Sequence, residues 1–350
     1  MSNMKQITKK WSFPINSVYS LTYDLISHPL ILSDGAAILD GTGLIKIDFE
    51  GNPLWHCPSS WGFWGSPVLL NPDCIVCASG DNSIHFINEV GQVVRTINLP
   101  TSITTEILVG NSGDLWFGMG GGNSALARID VDGNLSYERY ISRDYGLQHP
   151  MTLAPDQTIW AATSNGLIRV EAYSGEILTR EDSDSHNLVC ISEALVFSDD
   201  AIVAAILPDH SCAIVRVSID GTILQKYLLP PLWRAKLLNS PQGGAWLIGS
   251  TVSPWDSPKD SDYILISRLA QNGKPGMMAN ASANRAIEPS VDSIGNLWLG
   301  TYTSYANGSE AGELLIYDDA ATLCSRWVSD PPAGVGSTKF DFQGDKLVCI

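Results

Sequence analysis

The chain has 350 residues, of which 44% are hydrophobic and 17% are charged, and its formal net charge is −16. This composition excludes a disordered chain, which has few apolar residues and dense charge, and it argues against nucleic-acid binding, which needs clustered Lys and Arg. No apolar run approaches the ~20 residues of a membrane span, so we expect no membrane partner. No apolar signal-peptide core follows the N-terminal lysines, so we expect a cytoplasmic protein.

In chain order, the first predicted element is an isolated strand, KKWSFPI, at residues 9–15. From residue 28 a four-strand pattern then recurs, with a glycine turn before every fourth strand. These turn glycines follow β-branched runs such as LIKIDF, LARIDV and IVRVSI, which is a strong hairpin signal. They are Gly51, Gly91, Gly133, Gly175, Gly221 and Gly273, and a degenerate seventh copy is DDAA at residues 318–321.

Four strands repeated every 40–52 residues predict a β-propeller, because no helical periodicity competes with the strand pattern. We count seven complete blades of four antiparallel strands over residues 28–328, and inner strands of a last blade at 335–350. The all-β prediction is therefore an eight-bladed propeller forming one domain, residues 1–350, with residues 1–16 closing the eighth blade. Closure from both termini leaves no exposed edge. Seven blades stay open as an alternative.

Several segments resemble the repeat of streptogramin lyase-like, gluconolactonase-like and two-component-regulator propellers. They are residues 113–118 (GDLWFG), 157–167 (QTIWAATSNGL) and 295–301 (GNLWLGT), while residues 47–55 (IDFEGNPLW) are similar to the quinoprotein-type repeat. The resemblance implies the propeller fold, but propellers host many unrelated functions. The repeated tryptophans at 116, 160, 246 and 298 are expected to pack between neighbouring blades.

In a propeller the loop into each first strand (the D–A loop) and the loop between the second and third strands (the B–C loop) share one face. His28-Pro29 and His149-Pro150 both stand at the entrance to a first strand, and Ser66-Pro67 and Glu288-Pro289 match them. Proline extends the preceding residue, so we expect these side chains to project from similar places. His149, His28 and Glu288 are therefore the predicted catalytic or metal-binding set. The alternative is that both histidines bond to backbone.

Lyases of the streptogramin type carry two His and a Glu at such a mouth, with a divalent metal. Here only the type of constellation is similar, because the His and Glu come from other blades than a residue-by-residue match would require.

Aromatic residues in the predicted D–A and B–C loops outline a mouth suited to a flat, sugar-like or cationic ligand. Packing of these rings on one another is the alternative. The predicted substrate-binding residues are Trp61, Phe63, Trp64, Tyr145, Trp233, Trp255, Tyr302 and Tyr305.

The leading hypothesis is a single small-molecule site on this face, with acid–base or metal-assisted lyase, hydrolase or cyclase chemistry; whether it is catalytic stays open. The alternatives are a non-catalytic platform for a protein or peptide and a glycan-binding propeller. A divalent metal is left open as cofactor, and no quinone or nucleotide is expected. The Cys74-x-x-Cys77 pair lies in a predicted strand whose alternation points the two thiols to opposite sides, so buried free thiols are expected.

Overall fold

The computed structural model describes most of the chain and consists of strands joined by turns. The described residues are 28–39, 43–120, 124–142, 147, 149–164, 166–180, 188–251, 263–281, 285–304, 310–328, 338–340 and 347–349. Among them, no helix has the length and hydropathy needed to cross a lipid bilayer.

Seven sheets follow one another along the chain, and we call each a blade, with strands A to D in chain order. Blades 1 to 4 contain β1 (Leu30–Ile31), β2 (Gly35–Leu39), β3 (Gly43–Asp48), β4 (Pro53–Pro58); β5 (Phe63–Asn71), β6 (Cys74–Ser79), β7 (Ser83–Asn88), β8 (Val93–Asn98); β9 (Leu108–Val109), β10 (Leu115–Met119), β11 (Ser124–Ile129), β12 (Leu135–Ser142); and β13 (Thr152–Leu153), β14 (Thr158–Thr163), β15 (Gly166–Glu171), β16 (Ile177–Arg180).

The remaining strands complete blades 5 to 7 and a last, smaller sheet. They are β17 (Val189–Cys190), β18 (Leu195–Val196), β19 (Asp200–Ile206), β20 (Cys212–Ser218), β21 (Ile223–Leu229); β22 (Arg234–Asn239), β23 (Ala245–Ser250), β24 (Ile264–Leu269), β25 (Pro275–Ala281); β26 (Arg285–Val291), β27 (Leu297–Ser304), β28 (Glu310–Tyr317), β29 (Leu323–Val328); and the pair β30 (Thr338–Phe340) and β31 (Leu347–Cys349). In blade 5, β17 and β18 together form strand A, because both pair with β19.

All strand pairs within the blades are antiparallel and join consecutive strands, as the repeat predicts. The six predicted turn glycines all adopt positive φ, between 73° and 89°, and Ala321 takes the same place in the seventh copy with φ 57°. The hairpin between strands C and D therefore needs a left-handed residue at this point, which glycine supplies without a steric cost.

The described residues form seven blades, not the eight that were predicted, and seven is the alternative that the sequence left open. In place of a further blade they contain only the two-stranded sheet β30–β31, which lies against β26 and β27 of blade 7 and against β1 of blade 1. The segment 9–15, predicted to close an eighth blade, lies outside the described residues.

The chain divides into two compact units, Met1–Pro100 with Ala283–Ile350, and Thr101–Ser282. The first contains blades 1, 2 and 7 and the small sheet, and the second contains blades 3 to 6. The single domain predicted for residues 1–350 stays a prediction.

Apolar side chains from adjacent blades form the core within each unit. Trp160 of blade 4 belongs to one buried cluster with Val203 and Val215 of blade 5. Trp116, Trp160 and Trp246 are at most 2% exposed, and Trp298 is 8% exposed. Because a large apolar ring is stabilised by such burial, the predicted packing role of these tryptophans agrees with the structure.

Candidate functional site

Among the described residues, strand A is interrupted in five blades, at the place where the sequence suggested a site. In blade 2 the pairing register shifts between Trp64 and Val68, and in blade 7 it shifts between Ile287 and Ser290. Blades 3 to 5 carry the same break, where residues 104–107, 149–151 and 191–194 stand outside the strand pairing. Such bulges turn side chains away from the regular alternation and are common near functional sites.

In each blade, one residue of strand A lies opposite the repeated tryptophan position. The residue two places before it is the position that we compare between blades, and we call it the bulge position. In blade 3, for example, Leu108 pairs with Trp116, so the bulge position is Glu106. The equivalent residues, in blade order, are His28, Ser66, Glu106, Pro150, Glu193, Lys236 and Glu288.

This register corrects the prediction that His28 and His149 occupy one repeat position. Thr152 pairs with Trp160 and is therefore the strand-A residue opposite the tryptophan position in blade 4. His149 stands three residues before Thr152, whereas His28 stands two residues before Leu30, the corresponding residue of blade 1. Aligning the two His-Pro pairs by sequence alone misplaced His149 by one residue. His28 belongs to the first unit and His149 to the second.

His149 is tied to the backbone of the neighbouring blade. Its Nε2 lies 3.2 Å from the carbonyl oxygen of Cys190, so the neutral ring donates its N–H to blade 5. Burial lowers the pKa of His149 to about 4, and the positive charges of Arg234 and Lys236 act in the same direction, while the bond to Cys190 opposes them. The imidazole is therefore neutral near pH 7.

Residues at or next to the equivalent position in other blades also hold strands together. The backbone N–H of His28 donates to Ser66 Oγ at 2.9 Å, which joins blades 1 and 2. The hydroxyls of Thr105 and Ser192, each one residue before a bulge glutamate, accept the N–H groups of Gly118 and Ala204 at 2.8 and 2.9 Å. These hydroxyls replace the ladder bonds that the bulges remove.

Trp61 is the most exposed of the predicted aromatic residues that the structure describes, with 69% of its surface accessible. Its loop is nevertheless fixed, because the carbonyl oxygen of Gly62 accepts bonds from Gly80 N–H and Ser79 Oγ, both at 3.1 Å. Phe63 is half-buried and packs edge-on against His85, with ring centroids 5.4 Å apart. Trp64 belongs to β5, but its side chain lies outside the described part.

Trp233 is the second exposed aromatic residue, and it follows the last strand of blade 5. It is 52% exposed, and Leu228 nearby in sequence is 69% exposed. Its backbone N–H is fixed to Ser250 O at 2.9 Å. The predicted residues Tyr145, Trp255 and Tyr305, and the side chains of Tyr302 and Glu288, lie outside the described residues.

Sequence reasoning missed a set of arginines in strand C. Arg128 binds Asp114 Oδ2 through Nε at 2.8 Å, and its guanidinium lies 5.8 Å from the ring centre of Trp116. Blade 4 repeats the arrangement with Asp156, Arg169 and Trp160. The signal was an arginine in consecutive third strands, LARIDV, LIRVEA, IVRVSI and LISRLA.

The cysteines in the described part of the chain are free thiols, and none belongs to a candidate metal site. Six cysteines are free, and burial raises the pKa of Cys77 far above its usual range. No group of three or more His, Cys, Asp or Glu side chains with the spacing of a metal site occurs among the described residues.

Two solved structures match the fold of this chain over nearly its whole length. BamB from Moraxella catarrhalis is 12% identical with a TM-score of 0.64, over 95% of this chain and 93% of that one. The chain has a β-propeller fold. The computationally designed Ika8 protein is 11% identical with a TM-score of 0.64, over 93% of this chain and 92% of that one.

The Dos1 propeller is a further neighbour, 16% identical with a TM-score of 0.53, over 82% of this chain and 74% of that one. No family model and no curated protein matches the sequence. At these identities the likeness concerns the fold alone, and the resemblance to streptogramin lyases is not confirmed.

Proposed function

We propose that this propeller is a non-catalytic platform that binds a protein or peptide segment, with Trp61 as an anchor. The observation that carries the proposal is a strongly exposed indole on a loop whose backbone is fixed by hydrogen bonds. Tryptophan is enriched among residues that dominate interface energies, and a preordered loop loses little entropy on binding.

The charge of the chain favours a basic partner. The net charge is −16, and Asp81 directly follows Gly80, which holds the Trp61 loop. Hydrogen bonds, chiefly from Ser83, hold the pKa of Asp81 below its usual range despite the opposing effect of burial, so this carboxylate is charged near pH 7. An exposed indole on an acidic chain suits an Arg or Lys side chain through a cation–π contact.

Acid–base or metal-assisted chemistry by His149, His28 and Glu288 stays a prediction, as does a small-molecule or glycan site on this face. A base with a pKa of about 4 is poorly matched to proton transfer near pH 7, and the His149 Nε2–H is already given to Cys190. These observations favour the binding platform over the enzyme.

The proposal is tested by binding the full-length protein to an array of peptides that contain Arg or Lys at varied positions. Peptides that bind the wild type should bind Trp61→Ala at least about tenfold more weakly, since a hot-spot residue contributes ~2 kcal/mol or more. Leu54→Ala is the matched control, because Leu54 is also an exposed apolar residue of the first unit, 49% accessible, but lies on a fourth strand.

Both variants should melt like the wild type, because exposed side chains contribute little to stability. Trp61→Phe should retain part of the affinity. Equal peptide binding by wild type and Trp61→Ala, or equal losses in Trp61→Ala and Leu54→Ala, would contradict the proposal.

A further inference from the structure

The fourth strand of each blade, strand D, has one edge that no other strand covers among the described residues. The backbone N–H and C=O groups along such an edge can pair with a strand of another chain. Natural proteins prevent this pairing with charged side chains and prolines on the edge strand. The seven D strands of this chain differ in how far they are protected in this way.

Five of the seven D strands contain charged residues. These residues are Arg95 in β8, Glu138 and Arg139 in β12, Arg180 in β16, Lys226 in β21 and Arg326 in β29. The D strand of blade 1, β4, contains no Lys, Arg, Asp or Glu, but it begins with Pro53 and ends with Pro58. A proline has no backbone N–H to offer to an added strand, so both ends of β4 are blunted.

The D strand of blade 6, β25, lacks both forms of protection over most of its length. Its sequence is PGMMANA, in which no residue is charged and the single proline, Pro275, stands at the start. Met277 is 72% exposed and Met278 is 43% exposed, although both side chains are large and apolar. In the described part of the chain β25 pairs with β24 alone, so the blade 6 sheet ends in an uncharged, partly apolar edge.

We propose that β25 pairs with β25 of a second copy of this chain, in an antiparallel dimer whose two-fold axis passes through Met278. Met278 is the central residue of the seven, so this register pairs the whole strand. Met278 then lies opposite its own copy, and Met277 lies opposite Ala279. Directly opposite residues of an antiparallel pair interact, and like charges there are unfavourable. Every residue of β25 meets an uncharged residue in this register.

A second copy supplies what the β25 edge requires of its partner, which is an extended, uncharged strand with a free edge of its own. The same two-fold pairing at β21 would place Lys226, the central residue of that strand, opposite its own copy. Methionine is unbranched and polarisable, so two Met278 side chains can adapt to each other across the axis.

The charge of the whole chain opposes this association, but only at long range. The net charge of −16 makes two copies repel each other, and physiological salt screens exposed charges that lie more than ~8 Å apart. The proposed pairing itself contains no ion pair. Added salt should therefore strengthen the dimer, whereas it would weaken a dimer that depends on ion pairs.

The interface is short, so the dimer should be weak. Seven paired residues span only about 24 Å at ~3.4 Å per residue. Interfaces below ~1,200 Å² are typical of transient complexes, so we expect a dissociation constant on the order of 10–100 μM. The proposal is independent of the Trp61 surface, because β25 belongs to the second unit and Trp61 to the first.

The test is sedimentation velocity of the full-length protein from about 2 to 200 μM, in about 0.05 M and about 0.5 M NaCl. The wild type should shift from the 37.8 kDa monomer to a dimer as its concentration rises, and more so at high salt. Met278→Lys should weaken dimerisation at least about tenfold, because it places two ammonium groups opposite each other. Leu224→Lys is the matched control, since Leu224 is 48% exposed on β21, and it should dimerise like the wild type.

Cross-linking tests the register separately. A short bismaleimide should join Met278→Cys to its own copy, whereas Leu224→Cys should give no more cross-linked dimer than the wild type, whose own free thiols set the background. Each variant should melt like the wild type, because exposed side chains contribute little to stability. A monomer at every concentration would overturn the proposal and leave the β25 edge to a strand of a different protein. A dimer that survives Met278→Lys, or that dissociates in high salt, would also overturn it.

Discussion

The carboxylate of Glu193 accepts a hydrogen bond from the backbone N–H of Leu237, with Oε1 and N 3.1 Å apart. Glu193 is the bulge residue of blade 5, and Leu237 lies in strand A of blade 6. Next to this contact, Ala235 N–H donates to Ile191 O at 2.8 Å. A side chain released by the bulge thus joins two blades that are separated by many residues in sequence.

Replacing Glu193 with alanine should lower the free energy of unfolding by about 1–3 kcal/mol, because the buried N–H of Leu237 loses its acceptor. Glu193→Gln keeps an oxygen at this point and should lose less. Urea unfolding of the wild type and both variants measures the difference. Equal losses in the two variants would show that the acceptor at this position is unimportant.

His149 should make the stability depend on pH between about 4 and 6.5, its lowered and its ordinary pKa. In this window the unfolded chain binds a proton that the folded chain excludes, so the free energy of unfolding falls as the pH falls. Above pH 6.5 both states are neutral at this residue and the effect vanishes.

The measurement is the midpoint of urea unfolding at several pH values in the wild type and in His149→Gln. Glutamine retains an N–H that can donate to Cys190 O, so the variant should fold but show a smaller slope over this window. If the two proteins show the same slope, His149 does not carry the low pKa.

Asp114 should stabilise the fold in its charged form. Burial alone would raise its pKa, but hydrogen bonds from Ser112, Arg128 and Trp116 outweigh this effect and lower it. Its contribution is therefore present above its ordinary pKa of 3.8 and is lost as the pH falls through the lowered value.

Asp114→Asn should consequently be less stable than the wild type near neutral pH, by roughly 1–3 kcal/mol for losing hydrogen bonds to a charged group. The difference in stability should narrow below pH 3.8, where the unfolded wild-type chain binds a proton that the folded carboxylate still excludes. Thermal unfolding of both proteins over this pH range tests whether the difference in stability narrows. If the difference in stability between the two proteins does not change with pH, the stability lost in Asp114→Asn comes from packing alone.

Deleting residues 1–15 should lower the melting temperature of the whole chain. The sequence predicts that residues 9–15 supply an outer strand next to the C-terminal strands, and β30 already lies against β26 and β1. Removing a strand from a sheet exposes the edge of its neighbour. A truncated chain that melts like the full-length protein would exclude this pairing.

The repeat was accessible from sequence because its markers are local. Each turn glycine, such as Gly91 or Gly221, directly follows a β-branched run, and both have the left-handed φ that the hairpin needs. The number of blades was less accessible, since it depends on how distant segments pair, and the sequence does not encode that pairing locally.

The candidate site was harder to predict for the same reason. The bulges insert residues into strand A, so counting from a proline shifted His149 by one place. Blade 5 also differs from blades 3 and 4 in a way that the sequence reasoning missed, because Ile202 stands where those blades have a tryptophan and Ser198 bonds to Asp199. A repeat-by-repeat comparison of strand B and the A–B turn would have revealed both differences.

Blades 5 and 6 are joined along their first strands by Glu193 and Ala235. Arg128 and Arg169 each donate to the C–D turn of the next blade, at Tyr173 O and Ile219 O, whereas Arg216 bonds to Asp200 and, among the described residues, not to the turn at Gln271. The interface between blades 5 and 6 is thus hydrogen-bonded along one side and open at the other, which is the form of a hinge. Backbone amides near the turn at Gln271 should then exchange with solvent deuterium sooner than those near Tyr173 and Ile219.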